Sequence, residues 1–418
     1  MNTEGTIQDE GIIQDDVISD KENNEEYDNI IISEVDTKEI LDSIKLNDKP
    51  VTVIEDASKI LVEDSTGIDK ETIALYKEFA EFLVNKVDII ENMGEKLTIS
   101  TGIDILDAIL GGGFAVGALN IIVGQPGSGK SMIAMQSIGA GQKQYNGMLA
   151  AFLDSEEATT SLRLSNLGVR KPKIKPITDV TIEKVFKFLE TLCVFKATKK
   201  ISLPSMLVWD SIANTLSQKE REVEDINSVI GYKARLLSIL VPKYVAKCAT
   251  HNIAWVAVNQ LRDEMAIGGP FSAPKQLRFM STGKSMPGGN ILKFNAFNLI
   301  EMKAKGSLDP EKIGFEGIMT SVKTVKAKLF PPNVEIELIG SFVEGFNNFR
   351  TNWHFLAKNK RLHTGAWNYL PSCPEIKLRT KDAENVYKDN PKFKEEWDKA
   401  VKEAIQVEII QKYNPVIM

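Results

Sequence analysis

An α/β fold with a mainly parallel central sheet flanked by helices is predicted for this chain by three features. From Leu119 onward, short apolar runs alternate with segments of helical periodicity, the rhythm of parallel strands joined by crossovers. A glycine-rich loop, Gly124-Gln-Pro-Gly-Ser-Gly-Lys-Ser131, stands at one strand-to-helix junction. Two later apolar runs flank Pro331-Pro332 and read as antiparallel strands added to the same sheet.

The 418-residue chain begins with an acidic leader: residues 1–70 hold 20 Asp and Glu against 6 Lys. The net charge is -6, so the remaining body is mildly basic. Few aromatics and dispersed carboxylates predict a mostly disordered arm, either a solubilising tail or a segment that competes with nucleic-acid phosphates for the basic body. Residues 69–93 place Ile73, Leu75, Phe79, Phe82, Leu83 and Val87 at helical spacing, which predicts an amphipathic helix. Strands are expected at 119–123, 148–153, 206–209 and 253–258, then at 317–328 and 334–340. Helical periodicity returns near 393–410, in a charged tail expected to form a small lobe.

Composition excludes several classes. No apolar run approaches the roughly 18 residues of a membrane span, and the acidic start is unlike a secretory signal, so a cytoplasmic address with no membrane partner is expected. Three cysteines far apart and three histidines speak against a zinc site; the cysteines read as buried free thiols.

The loop at 124–131 carries the chemistry. Its residues Gly124, Gln125, Pro126, Gly127, Ser128 and Gly129 let backbone N–H groups curl around phosphates at a helix start. Lys130 neutralises the outer phosphates, and the Ser131 hydroxyl can ligate magnesium. The strand 206–209 ends on Asp210, the expected partner for that metal, so ATP and Mg2+ are the implied cofactors. Hydrolysis also needs a carboxylate that orients water, and Asp154, Glu156 and Glu157 all end the strand at 148–153; spacing alone leaves the choice among them open.

These motifs resemble the RecA family. Ser100-Thr-Gly-Ile-Asp-Ile-Leu-Asp107, Leu110-Gly-Gly-Gly113, the phosphate loop, Phe152-Leu-Asp-Ser-Glu156, Leu167-Gly-Val169, Leu207-Val-Trp-Asp-Ser211, Val258-Asn-Gln-Leu-Arg262 and Gly288-Gly-Asn-Ile-Leu-Lys-Phe294 occur in the order seen in bacterial RecA and related phage recombinases. The most specific elements are the Asn259-Gln260 and Gly288-Gly289-Asn290 segments. The resemblance implies a RecA-like ATPase core at 99–345, preceded by the arm at 1–68 and a helical subunit-packing segment at 69–98, with a C-terminal lobe at 346–418. It implies that Glu156 orients the attacking water and that Gln260 senses the terminal phosphate. Lys326 and Lys328 fall where the family places lysines that reach a neighbouring subunit's ATP, although alternate lysines on a strand also suit a solvated face.

The resemblance further assigns two DNA loops. In the second, residues 261–287, Arg262, Lys275, Arg278 and Lys284 alternate with Met265, Phe271, Phe279, Met280 and Met286; basic groups hold phosphates and apolar wedges separate bases. Gly288, Gly289 and Asn290 then offer backbone donors. The first loop, 214–227, carries Lys219 and Arg221 but also four acids, and Arg235 matches a DNA-contact position that an ordinary surface ion pair would equally explain. Two departures stand out: the aromatic residue that packs on adenine in the family falls near Arg163, and the second loop is longer than in bacterial RecA.

The expectation is therefore a DNA-dependent ATPase that forms a helical filament on single-stranded DNA and pairs it with double-stranded DNA, with loading or single-strand-binding proteins as further partners. A ring-forming helicase-like motor and an ATP-switched DNA-binding scaffold are the alternatives.

Overall fold

The computed structural model describes residues 96–157, 159–170, 179–223, 229, 231–263, 280–281 and 284–414. The arm at 1–68 and the helix expected at 69–93 lie outside the described residues, as do Met265, Phe271, Lys275, Arg278 and Phe279.

In chain order the elements are β1 (Thr98–Ile99), α1 (Asp104–Leu110), β2 (Phe114–Ala115), β3 (Ala118–Gly124), α2 (Lys130–Gln144) and β4 (Leu149–Asp154). Then come α3 (Ser161–Asn166), α4 (Ile182–Thr198), β5 (Ser205–Asp210), α5 (Gln218–Glu222), α6 (Tyr232–Thr250) and β6 (Ile253–Gln260). A two-stranded ribbon, β7 (Arg262–Asp263) with β8 (Lys284–Ser285), leads to α7 (Asn290–Asn295), β9 (Ala296–Ser307), α8 (Pro310–Ile313), β10 (Gly317–Lys326), β11 (Glu335–Ser341) and β12 (Gly345–Phe346). The tail folds as α9 (Asn348–Lys358), α10 (Ala383–Asp389) and α11 (Pro391–Ile405), the last running into a π-helical turn, Gln406–Gln411.

Eight strands form the main sheet in the order β12-β11-β10-β9-β3-β6-β5-β4. From β4 across to β9 every pairing is parallel; from β9 to β12 every pairing is antiparallel. The α/β prediction holds, and the expected strands are present to within two residues.

Burial explains the strand sequences. All of β3 is buried between β6 and β9, which suits its nearly unbroken apolar run. Its one polar side chain, Asn120, is satisfied within the sheet: it accepts from the Ala115 amide and donates to the Ala115 carbonyl, both at 3.0 Å, and accepts from Asn298 on β9 at 3.0 Å. The strand β9 escapes the sequence reading because Asn298 and the buried Glu301 interrupt its apolar pattern.

The helices start where caps are available. Thr181 caps α4 by accepting from the Lys184 amide at 3.2 Å, and α4 buries Ile182, Val185, Phe186, Leu189 and Cys193 along one stripe. Phe186 meets Tyr244 of α6 at 5.0 Å between centroids, and lies edge-on to Trp209 and Trp255 of the sheet. Asn390 caps α11 through the Phe393 amide at 3.0 Å, with Pro391 at the first helical position. From there Phe393, Trp397, Val401 and Ala404 are buried and join the same hydrophobic cluster as Leu106, Ile133 and Leu338, so the tail packs on the core instead of standing apart. All three cysteines are free and buried, as expected.

Candidate nucleotide and DNA site

The parallel strands β3, β4, β5 and β6 end together at Gly124, Asp154, Asp210 and Gln260, with Gly124 in register with Gln260 and Asp154 with Asp210. Ligands of parallel α/β sheets bind beyond these carboxyl ends, and residues 124–131, Glu156, Asp210 and Gln260 lie there or just after, whereas Lys326 and Lys328 do not.

The phosphate loop joins β3 to α2. Gln125, Pro126 and Gly127 are exposed, whereas Ser128 and Lys130 are buried. The Ser128 hydroxyl donates to the Gln125 carbonyl at 2.8 Å and closes the turn. Gly129 has φ +86° as it enters the helix, and a Cβ there would meet the Phe346 ring of β12 at 2.6 Å. Both its left-handed backbone and the ring require glycine. The Lys130 ammonium lies back on the Gln125 carbonyl at 2.7 Å. Its pKa is drawn below the usual ammonium range by burial, against the opposing pull of the Asp210 and Glu156 charges.

Geometry separates the three acids after β4. Asp154 is buried and accepts from the backbone amides of Glu156 at 3.0 Å and Thr159 at 2.9 Å, a turn-forming role. Glu157 is exposed, adopts φ +53° and accepts from the Asp179 amide. Glu156 alone of the three bonds to the ends of β5 and β6: its Oε1 accepts from Asn214 Nδ2 at 2.7 Å, Ser211 Oγ at 3.3 Å and Gln260 Nε2 at 3.4 Å. The Ser155 hydroxyl donates to the carbonyls of Asp210 and Ser211, tying the two strand ends.

Asp210 is buried, and its carboxyl is pushed up to about 6 by desolvation, with smaller contributions from Glu156 and Asp154; a hydrogen bond from Ser131 and the Lys130 charge oppose the rise. Ser131 and Asp210 thus share a hydrogen bond where one hydroxyl and one carboxylate would hold magnesium. No group of three or more His, Cys, Asp or Glu side chains is placed to cage a metal among the described residues. The Ser131 hydroxyl and the Asp210 carboxyl suit magnesium, which takes one or two protein oxygens and keeps phosphate and water for the rest. Folding disfavours the ionised carboxylate of Asp210, so the form able to bind metal becomes populated only as pH rises through about 6. Affinity for magnesium nucleotide, measured by titration calorimetry one pH unit above and one below that value, is expected to fall by up to roughly tenfold on the acid side. Asp210→Asn should weaken binding at both pH values and flatten the difference.

Beyond β6, the second loop is anchored at its base. The Leu261 amide donates to the Gly124 carbonyl at 3.2 Å, joining the loop's first residue to the start of the phosphate loop. Arg262 pairs with Ser285 and Asp263 with Lys284 in the β7–β8 ribbon. Asn259 Nδ2 donates to the Pro287 carbonyl at 2.8 Å, and the buried Glu301 accepts from the Ser281 amide at 3.0 Å and from its hydroxyl. Met280 and Met286 are buried, while Arg262 is exposed.

The remaining candidates scatter. Gly288 and Gly289 both have positive φ and lead into α7, where Asn290 is exposed. Arg235 forms no ion pair among the described residues. Lys219 lies over the Tyr232 ring, and Arg221 pairs with Asp179. Arg163 donates one guanidinium N–H to the Phe342 carbonyl in the β11–β12 turn. Lys326 donates to the carbonyls of Lys293 and Phe294, and Lys328 lies beyond the end of β10.

Sequence reasoning missed two residues. Lys233 of α6 donates to the carbonyls of Ile212, Ala213 and Thr215, stapling the turn that presents Asn214 to Glu156; burial brings its pKa down to about 8. Glu301 holds the far limb of the loop. Neither sits in a motif, and a lysine on a helix or a glutamate on a strand carries no signal by itself.

This fold and site define a P-loop nucleotide-binding protein of the α/β class. The RecA N-terminal domain family matches residues 74–347. Curated relatives include "Protein RecA" of Rhizobium etli, 29% identical over 86% of this chain and 93% of that one, and "Protein RecA" of Agrobacterium fabrum, 28% identical over 84% and 91%. "Protein RecA" of Rhizobium rhizogenes is 30% identical over 72% of this chain and 77% of that protein. The chain belongs to the RecA family, whose members act in recombination and repair as ATP-using, DNA-binding proteins. No helix among the described residues is long and apolar enough to cross a membrane.

Proposed function

We propose that this chain is a DNA-dependent ATPase that assembles as a helical filament on single-stranded DNA in its ATP-bound form, pairs that strand with homologous duplex and exchanges strands. Hydrolysis then serves release. The observation that carries the reading is the bond from Gln260 to Glu156. Gln260 ends β6 two residues before the ribbon of the second loop, so the residue whose side chain reaches the water-orienting carboxylate adjoins the base of the DNA-binding segment along the chain.

In this reading Lys130 and the loop amides bind the phosphates, and Glu156 aligns water against the terminal phosphorus. Bound magnesium, held at Ser131 and Asp210, would supply charge neutralisation at the phosphates. Gln260 trades its bond to Glu156 for the terminal phosphate and thereby shifts the ribbon at Arg262. In this reading Lys326 and Lys328 do not serve their own nucleotide. They lie near the start of β9, whose Ala296 is in register with Leu119, five residues or about 16 Å from Gly124. That separation supports a role at a second copy's nucleotide, so turnover should rise with assembly.

Affinity for single-stranded DNA measured with a non-hydrolysable ATP analogue, with ADP and with no nucleotide tests the coupling. Tight binding is expected with the analogue alone, and equal binding in all three states would refute the reading. Electron microscopy of the same mixtures should show helical filaments; closed rings would favour a helicase-like motor, and no assembly an ATP-switched scaffold.

A further inference from the structure

A third lysine shares the patch formed by Lys326 and Lys328. Lys96, just before β1, places its Nζ 5.5 Å from the ring centroid of Phe297 on β9, and Lys328 Nζ lies 5.4 Å from the same centroid. Lys326 Nζ is fixed beside them by the Lys293 and Phe294 carbonyls, at 3.0 and 2.8 Å. Among the described residues no carboxylate forms an ion pair with any of the three. Burial, reinforced by the charge of Lys328, draws both Lys96 and Lys326 below the usual ammonium range.

Like charges gathered without a counter-ion repel one another, and a cation–π contact at a half-exposed ring offsets only about 0.5–1 kcal/mol. An arrangement of this kind is complementary to a compact polyanion. Phe297 follows Ala296 at the start of β9, far along the sheet from the chain's own phosphate loop, so the nucleotide on that loop is not the polyanion it faces.

We propose that Lys96 contacts the terminal phosphates of the nucleotide held by the adjacent copy, together with Lys326 and Lys328, and that the Phe297 ring spaces Lys96 from Lys328. This rests on the reading that the latter two lysines act across the subunit interface. A DNA phosphate offers the same chemistry, so the experiment separates the two sources.

Full-length Lys96→Glu, Lys96→Arg and the Lys326→Glu/Lys328→Glu double variant are each assayed for ATP hydrolysis on single-stranded DNA, alone and mixed with Glu156→Gln protein. The Glu156→Gln copies keep their lysines but do not turn over, so they complete a neighbour's competent site. Lys96→Glu alone is expected to lose roughly 10- to 100-fold in turnover, the worth of one charge-assisted contact, while Lys96→Arg keeps most of it. Mixing should restore hydrolysis to both glutamate variants. Normal turnover by Lys96→Glu, or a loss that mixing repairs in the double variant but not in Lys96→Glu, overturns the role of Lys96 and leaves the shared site standing. Failure of mixing to repair either variant overturns the shared site as well. Loss of DNA affinity by Lys96→Glu in the absence of nucleotide would assign the lysine to DNA phosphate and overturn the nucleotide contact.

Discussion

Glu156→Gln is expected to lower ATP turnover on single-stranded DNA by about 10²- to 10⁴-fold, the usual contribution of a positioned general base. The substitution keeps shape and hydrogen-bonding reach, so the contact with Asn214 can persist, but it removes the charge that attracts and aligns water. Nucleotide binding should be retained, because Lys130, Ser131 and Asp210 are untouched. With hydrolysis blocked, the protein should stay on DNA longer after ATP is added. Stopped-flow phosphate release together with DNA dissociation after competitor challenge measures both effects. The neighbouring acids are the controls. Asp154→Asn should disturb the turn at Glu156 and Thr159 and weaken folding, whereas Glu157→Gln should leave turnover near its starting value. A turnover loss in Glu157→Gln as large as in Glu156→Gln would move the catalytic assignment to the wrong side of the turn.

Trp397→Ala should cost about 3–5 kcal/mol of stability, the range for removing a large buried aromatic side chain. Trp397 is 2% exposed and stacks on Phe349 at 4.5 Å and on Trp353 at 5.6 Å, with Phe393 tilted against it at 5.8 Å. These contacts join α11 to α9, and α9 packs on β11, whose next strand carries the Phe346 ring that closes on Gly129. A lobe that merely decorated the core would lose its own structure and leave the phosphate loop intact. Continuity of the hydrophobic cluster predicts otherwise: denaturant unfolding should shift to lower midpoint for the whole protein, and nucleotide affinity should fall with it. Two separate transitions, with the nucleotide-binding one unmoved, would show the lobe to be energetically independent.

Much of the architecture was legible because it depends on short-range pattern. Apolar runs marked the strands from 119 to 258, and the glycine spacing of the phosphate loop needs a strand before it and a helix after it wherever it occurs. Other features failed to announce themselves because their cause is remote in sequence. The strand β9 contains Asn298 and Glu301, and only the partners Asn120 and Ser281, found after folding, make those polar residues acceptable in a buried strand. The aromatic clamp of the C-terminal lobe likewise joins residues from 349 to 397 that local periodicity does not connect.

The site divides along the same line. The amino-acid order by itself determined that a phosphate loop, a strand-ending Asp210 and a pool of three acids exist, since each is a local pattern of a few residues. The family resemblance already singled out Glu156 from that pool; its contacts with Ser211, Asn214 and Gln260 emerge only in the fold, where parallel strands bring their carboxyl ends together. The tertiary structure alone also decided that Lys96, more than 200 residues from Lys328, shares its aromatic ring. Side-chain direction and charge crowding arise from three-dimensional neighbours, and a linear sequence carries no record of those distances.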